Sequence, residues 1–262
     1  MNPERTIMKL WQKDQQTDLQ VEQFTVGNDR NMDLHLAAFD VLGSLAHIRM
    51  LNHVGLLANE ELLQLDKALK EIYTLIENGN FSIEEGVEDI HSQIELLLTR
   101  SLGDTGKKIH SARSRNDQVL LDMKLFLRHE IENITHDTED LFTVLMHQSE
   151  TYRNDLLPGY THLQPAMPSS FGLWFSAYAE SLTDDLLVLK AAWDITNKNP
   201  LGSAAGYGSS FPINRRFTTE LLGFSDLNYN VVYAQMGRGK AERIVASALM
   251  NIAATLSKLS MD

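Results

Sequence analysis

From Asp33 to Leu57 the apolar residues Leu34, Phe39, Leu42, Leu45, Ile48 and Leu51 recur about once per helical turn, the pattern of one buried helix face. Asn59, followed by Glu60 and Glu61, reads as a cap with acidic residues in the first turn, and that helix should end near Asn78 and Gly79. A further helix over Val87 to Leu102 is stopped by Gly103 and Gly106. These short helices predict a first domain over residues 1–108. After Asn116 neither Gly nor Pro occurs until Pro158, which predicts one helix of about forty residues and about 55–60 Å. Leu120, Leu127, Ile134 and Leu141 lie seven apart on it, with Ile131 and Leu145 beside them. A seam of that length outruns any small domain around it, so it predicts a bundle. Helices from Ser169 to Asp194 and from Arg238 to Met261 supply its other members. The first of these carries a wide stripe, Phe171, Trp174, Phe175, Tyr178, Leu182, Leu186, Leu189 and Trp193, which reads as core packing. Strand-like alternation is scarce, and Val231-Val232-Tyr233 is the notable cluster of strand formers. The expected class is all-α, with residues 109–262 forming a long-helix bundle.

Composition narrows the chemistry. Twenty-three Lys and Arg against 35 Asp and Glu leave a formal charge of −12, which argues against a general nucleic-acid or anionic-membrane binder. Any anion must be held by a local pocket. Cysteine is absent, so no thiolate nucleophile or Cys-based metal site is available. The start lacks the apolar stretch of a secretory signal and no run of 18 apolar residues occurs, so a cytoplasmic location is expected.

Three polar segments interrupt the helical pattern. Lys107 to Gln118 stands at the entrance to the long helix, where free N–H groups and the helix dipole favour an anion, with Ser114, Arg115 and Asn116 as further donors; a plain Ser/Asn cap flanked by surface cations accounts for the same residues. Leu157 to Pro168 places Thr161 and His162 between two proline clusters just before a helix. A histidine there can serve as acid or base near neutral pH, or can be structural and hydrogen-bonded. Asn199 to Ser210 carries three glycines that allow close backbone approach, but no phosphate-loop motif, and also reads as a helix connection. His91 stands with Asp89 and Glu95 near a helix start; without a second histidine four residues away, a metal site is not expected. His47 with His53, and His129 with His136, fall at helical positions expected to face solvent.

Taken together the segments are far more specific. His110 through Ser114-Arg115-Asn116-Asp117-Gln118, and Gly159-Tyr160-Thr161-His162-Leu163-Gln164 some forty residues later, resemble the paired motifs of the argininosuccinate lyase family of the fumarase/aspartase superfamily. Glu88-Asp89-Ile90-His91, the stretch from Asp40 to His47 and that from Asn199 to Gly206 are similar to further family segments, so the resemblance runs from about Leu10 to the end. It implies three helical domains, with the long helices of four subunits forming a twenty-helix bundle and each active site shared between subunits. It also implies reversible β-elimination of argininosuccinate to arginine and fumarate, without metal or organic cofactor. By that resemblance His162 is the catalytic histidine and Asn116 and Thr161 bind substrate. Ser114, Arg115 and Gln164 are candidate substrate contacts, Asn28 and Asp29 weaker ones, and Asp89 and His91 supporting residues. Proton loss beside a carboxylate builds up negative charge that preorganised donors must stabilise, and the departing guanidino group needs an acid.

The sequence departs from the family in places. Leu10-Trp11-Gln12-Lys13-Asp14-Gln15 stands where Leu-Trp-Gly-Gly-Arg-Phe is usual, Asp29 where a substrate-contacting serine is usual, and Pro165 and Met167 alter the histidine loop. The superfamily's serine loop is expected some twenty residues beyond Asp262, so the 262-residue chain is expected to be an inactive fragment lacking that loop and the C-terminal domain. Two other readings stay open: a sister enzyme of the adenylosuccinate lyase or aspartase type, and a crystallin-like structural oligomer.

Overall fold

The structure, a computed structural model, describes Phe24 and residues 27–262. The Leu10 to Gln15 segment lies outside the described residues. Helices α1 (Asp29–Asp33), α2 (Ala37–His53), α3 (Asn59–Glu77), α4 (Ile90–Leu102) and α5 (Asp104–Lys107) lead to α6 (Arg115–Thr151). A hairpin of β1 (Leu156–Thr161) and β2 (Gln164–Ser170) precedes α7 (Phe171–Thr196). Then come β3 (Lys198–Asn199), α8 (Arg215–Leu221), β4 (Asp226–Leu227), α9 (Val231–Met236) and α10 (Lys240–Met261). The chain forms two compact units: residues up to Phe126 together with Lys198–Met236, and Leu127–Asn197 together with Gly237–Asp262.

In the first unit α2, α3 and α4 close on a core of Ile48, Leu51, Leu65, Leu69, Ile94, Leu98 and Ile109, each no more than 2% exposed. Each such side chain contributes about 1.5–3 kcal/mol by leaving water. The cap of α3 is Ala58, one residue earlier than expected. Glu61 reaches back to accept from the Ala58 N–H at 3.1 Å, while the Asn59 side chain accepts from Asn52 at 2.9 Å. Gly103, at φ +61°, ends α4, whereas Gly106 sits inside α5, where a Cβ would come within 2.3 Å of the Leu98 carbonyl oxygen. In the second unit the distal part of α6 presents Ile131 and Leu145 to α7 and α10, which bury Leu182, Leu189, Ala192, Val245, Ala248 and Ile252.

The helix expectations hold to within a few residues, but the molecule is mostly helical rather than all-α. The strands sit where the sequence showed none. Leu156–Thr161 and Gln164–Ser170 pair antiparallel, Thr161 opposite Gln164, and join through His162 (φ +50°) and Leu163 (φ +63°). Two left-handed residues in succession make the tight turn that matches strand twist. Val231-Val232-Tyr233 forms the start of α9 instead of a strand, because the Asn230 side chain accepts from the Tyr233 N–H at 2.9 Å and caps the turn. The stripe on α7 is also less buried than core packing requires: Leu182 and Leu189 are buried, but Phe171 is 41% exposed. Asp29–His53 and Lys240–Met261 have the length and apolar content to cross a membrane. The first, however, buries Asp40, Ser44 and His47 in its own unit, and the second packs on α7.

Candidate functional site

The entrance to α6 is built from its own short side chains. Asp117 Oδ1 accepts from the Ser114 N–H at 3.0 Å, and Ser114 Oγ accepts from the Asn116 N–H and from Asn116 Nδ2, both at 3.3 Å. This leaves the Asn116 side chain exposed at the helix start, with Ser114 and Arg115 half-buried behind it. Arg115 turns back toward α4. Its Nη2 donates to Ser92 Oγ at 3.2 Å and its Nε lies 3.7 Å from Asp89 Oδ2. Asp89 in turn caps α4 by accepting from the Ser92 N–H at 2.7 Å. Asn28 and Asp29 open α1 nearby in charge space: Asp29, Asp89 and Arg115 all act on Asp33, whose carboxyl is pushed up to about 6, first by burial and then by Asp89 and Asp29, against the Ile90 N–H and Arg115. Ser114, Arg115, Asn116, Asp89 and Asp29 thus belong to one polar surface of the first unit.

Beneath that surface lies a buried polar brace that the sequence reading missed. His91 does not work with Asp89 and Glu95. Its Nδ1 lies 3.1 Å from Asp40 Oδ1 and 3.5 Å from Asp122 Oδ2, all three residues being no more than 4% exposed. Gln118 Nε2 donates to the same Asp40 oxygen at 2.5 Å, and Arg113 Nη1 donates to Ser44 Oγ at 3.1 Å. Burial and then the Asp40 charge push the Asp122 carboxyl well above the usual carboxylate range. His47, expected to face solvent, is 2% exposed and donates Nε2–H to the Ser111 carbonyl at 2.9 Å; burial, then Arg113, push its pKa down to about 3, so the ring is neutral. His53 is exposed and stacks on Phe217 at 4.4 Å. One signal could have found the brace: Asp40, Ser44 and His47 fall one helical turn apart, a polar stripe on an otherwise apolar helix.

Asp40, His91 and Asp122 bring their ligand-type atoms within 4.8 Å of one another, the donor set and spacing of a divalent-cation site. The Arg113 guanidinium acts on Asp122 in the opposite sense to Asp40 and so partly offsets the carboxylate charge.

The glycine-rich segment is fastened to the same helix start. Asp117 Oδ2 accepts from the N–H groups of Gly202 and Ala204 at 2.9 and 2.8 Å. Asn199, fully buried, holds the segment's beginning by accepting from the Leu201 N–H at 2.9 Å and donating to Thr219 Oγ1 at 2.9 Å. Gln235 Nε2 donates to Ser203 Oγ and to the Ala204 carbonyl, both at 3.1 Å.

Thr161, His162 and Gln164 stand in the second unit, at the tip of the hairpin and all exposed. The expected site residues therefore form two groups, one at the start of α6 and one at the hairpin turn.

Comparison with known proteins places this geometry. The sequence profile of the lyase family matches residues 9–262. Argininosuccinate lyase of Bacteroides fragilis is 67% identical over 254 residues, and that of Thermotoga neapolitana 40% identical over 254 residues. The match takes in 97% of this chain but 57% of the Bacteroides fragilis protein's length. Among solved structures, an EDDS lyase in complex with formate superimposes with a TM-score of 0.70 at 26% identity, covering 87% of this chain and 46% of the other. A cobalt-bound fumarate lyase, delta crystallin, from Brucella melitensis does so with a TM-score of 0.75 at 20% identity, covering 88% and 55%, a likeness of fold alone. The mostly helical, fumarase/aspartase-like architecture and the profile match agree, and the chain belongs to the lyase family.

Proposed function

We propose that this chain serves in a lyase that splits argininosuccinate reversibly into arginine and fumarate. The observation that carries the reading is the 67% identity to the Bacteroides fragilis argininosuccinate lyase over nearly the whole chain. In the elimination a base takes a proton from the succinyl carbon next to a carboxylate. The bond from the neighbouring carbon to nitrogen then breaks, its electron pair leaves with the guanidino nitrogen, and that nitrogen takes up a proton. Asn116 and Thr161 are proposed to donate to the substrate's carboxylates, with Ser114, Arg115 and Gln164 as further polar contacts and Asn28 and Asp29 at the margin. His162 is proposed to transfer a proton or to stabilise the charge developed, while Asp89 and His91 support the site from behind Arg115 and Asp40. No metal or organic cofactor is called on by this reading.

The reading includes a homotetramer with active sites shared between copies. It is supported by apolar side chains left open on the second unit's helices, among them Leu173 (64% exposed), Leu187 (67%) and Met250 (65%), which more copies would cover. It also includes the domain division 1–108 and 109–262 and a cytoplasmic location. A second reading, release of fumarate from another amino compound, draws on the likeness to EDDS lyase, one variant of which is described with bound fumarate.

The test is turnover by the full-length protein. Incubation with argininosuccinate should release arginine and fumarate in equal amounts, and His162→Ala should slow this by about 10²-fold or more while leaving assembly intact. Fumarate released only from a different amine would favour the second reading, and near-normal turnover in a folded His162→Ala tetramer would remove His162 from the chemistry.

A further inference from the structure

We infer that Asp117 is a positioning residue: its buried carboxylate ties the glycine-rich segment to the Ser114 turn and thereby sets the Asn116 side chain. This rests on the function proposed above, which places Asn116 against the substrate. The chain of contacts is continuous. Gly202 and Ala204 donate to Asp117 Oδ2, Ser114 donates through its backbone N–H to Asp117 Oδ1, and Ser114 Oγ accepts from Asn116 Nδ2. Asp117 is fully buried. A carboxylate placed there with three backbone donors is well satisfied, and no apolar side chain could hold both segments.

The segment it holds is under strain that needs holding. Ala204 lies at φ +51°, a left-handed conformation disfavoured for a side chain bearing Cβ. Gly202, at φ +85°, is pressed so closely that a Cβ would lie 2.7 Å from the Arg215 side chain. Strain of this kind persists where the surroundings over-determine it. Here Asp117 fixes the segment from the helix side and Gln235 from the other. A simple helix cap needs only the bond to Ser114. The second oxygen serves a segment 85 to 87 residues away in sequence, which capping does not explain.

The experiment combines kinetics with amide exchange in the full-length protein. Asp117→Asn turns one acceptor into a donor facing N–H groups. It should speed exchange at Gly202 and Ala204 by about tenfold or more and raise KM for argininosuccinate by about tenfold, with kcat changed by less than about threefold. Unchanged KM in a folded variant would overturn the proposal, as would an equal fall in kcat and kcat/KM. If the variant does not fold, the unaltered protein decides. Saturating fumarate should slow exchange at Ser114, Gly202 and Ala204 together, and a response confined to Ser114 overturns the tie. Wild-type protein that binds fumarate with this joint response but does not turn over argininosuccinate sinks the substrate assignment and leaves Asp117's role standing.

Discussion

Asp40 Oδ1 lies 3.1 Å from His91 Nδ1, a buried contact between residues 51 apart in sequence that joins α2 to α4 under the start of α6. The imidazole Nδ1 and Gln118 Nε2 both face this one Asp40 oxygen, the latter donating to it at 2.5 Å. Truncating the ring strands a carboxylate out of water. His91→Ala should therefore lower the unfolding free energy by about 3–5 kcal/mol, measured by urea denaturation, and a loss below about 1 kcal/mol would mean water or Gln118 replaces the ring.

His47 gives the chain a sensitivity to acid. Its folded pKa, about 3, lies below the ordinary value of 6.5, so the unfolded chain binds the proton more tightly. The stability it contributes is complete above pH 6.5 and is lost as the pH falls toward 3. His47→Gln, which can still donate to the Ser111 carbonyl, should lose less stability between pH 7 and pH 4.5 (about the middle of that window) than the unaltered chain. Parallel denaturation curves at the two pH values would show that the ring does not titrate on unfolding.

Asp33 acts in the opposite sense. Its folded pKa, about 6, is raised from 3.8, so the folded state binds the proton more tightly, and this contribution is full below pH 3.8 and lost as the pH rises through 6. Asp33→Asn should raise the melting temperature at about pH 7 and do so much less at about pH 4. An equal gain at both would trace the effect to packing instead of charge.

The hairpin turn offers a gain. Leu163 is 98% exposed and held at φ +63°, so it loses little packing when replaced, while asparagine tolerates that conformation. Leu163→Asn should stabilise the chain by up to about 1 kcal/mol, read from thermal unfolding with Leu163→Ala as the control that keeps the strain.

The long helices were legible because each must bury a continuous stripe, and a stripe writes its period into the sequence. Ile131, Leu189 and Ile252 show this in the second unit. The hairpin was not legible because burial imposes no alternation on it: its residues are mostly exposed and Pro158, Pro165 and Pro168 disguise both strands. The Ser114 to Gln118 and Thr161 to Gln164 segments stood out as interruptions, polar and turn-rich between apolar helices. The brace was hidden for a different reason. Asp40, His91 and Asp122 come from three helices, and only folding brings them together. Asp117 was visible as part of a motif, but its partners at Gly202 and Ala204 were not.

Each compact unit is assembled from two stretches of chain, the first from residues up to Phe126 and from Lys198–Met236. During synthesis the Asp117 carboxylate therefore emerges long before Gly202, its partner 85 residues downstream. At a translation rate of about 5–20 residues per second it waits roughly 4–17 s, a buried acceptor in the finished protein that begins its life solvated. Maturation of the first unit is thus timed by the ribosome's passage through most of the second, and a chain arrested near residue 197 would carry an open α6 start with no segment to close it.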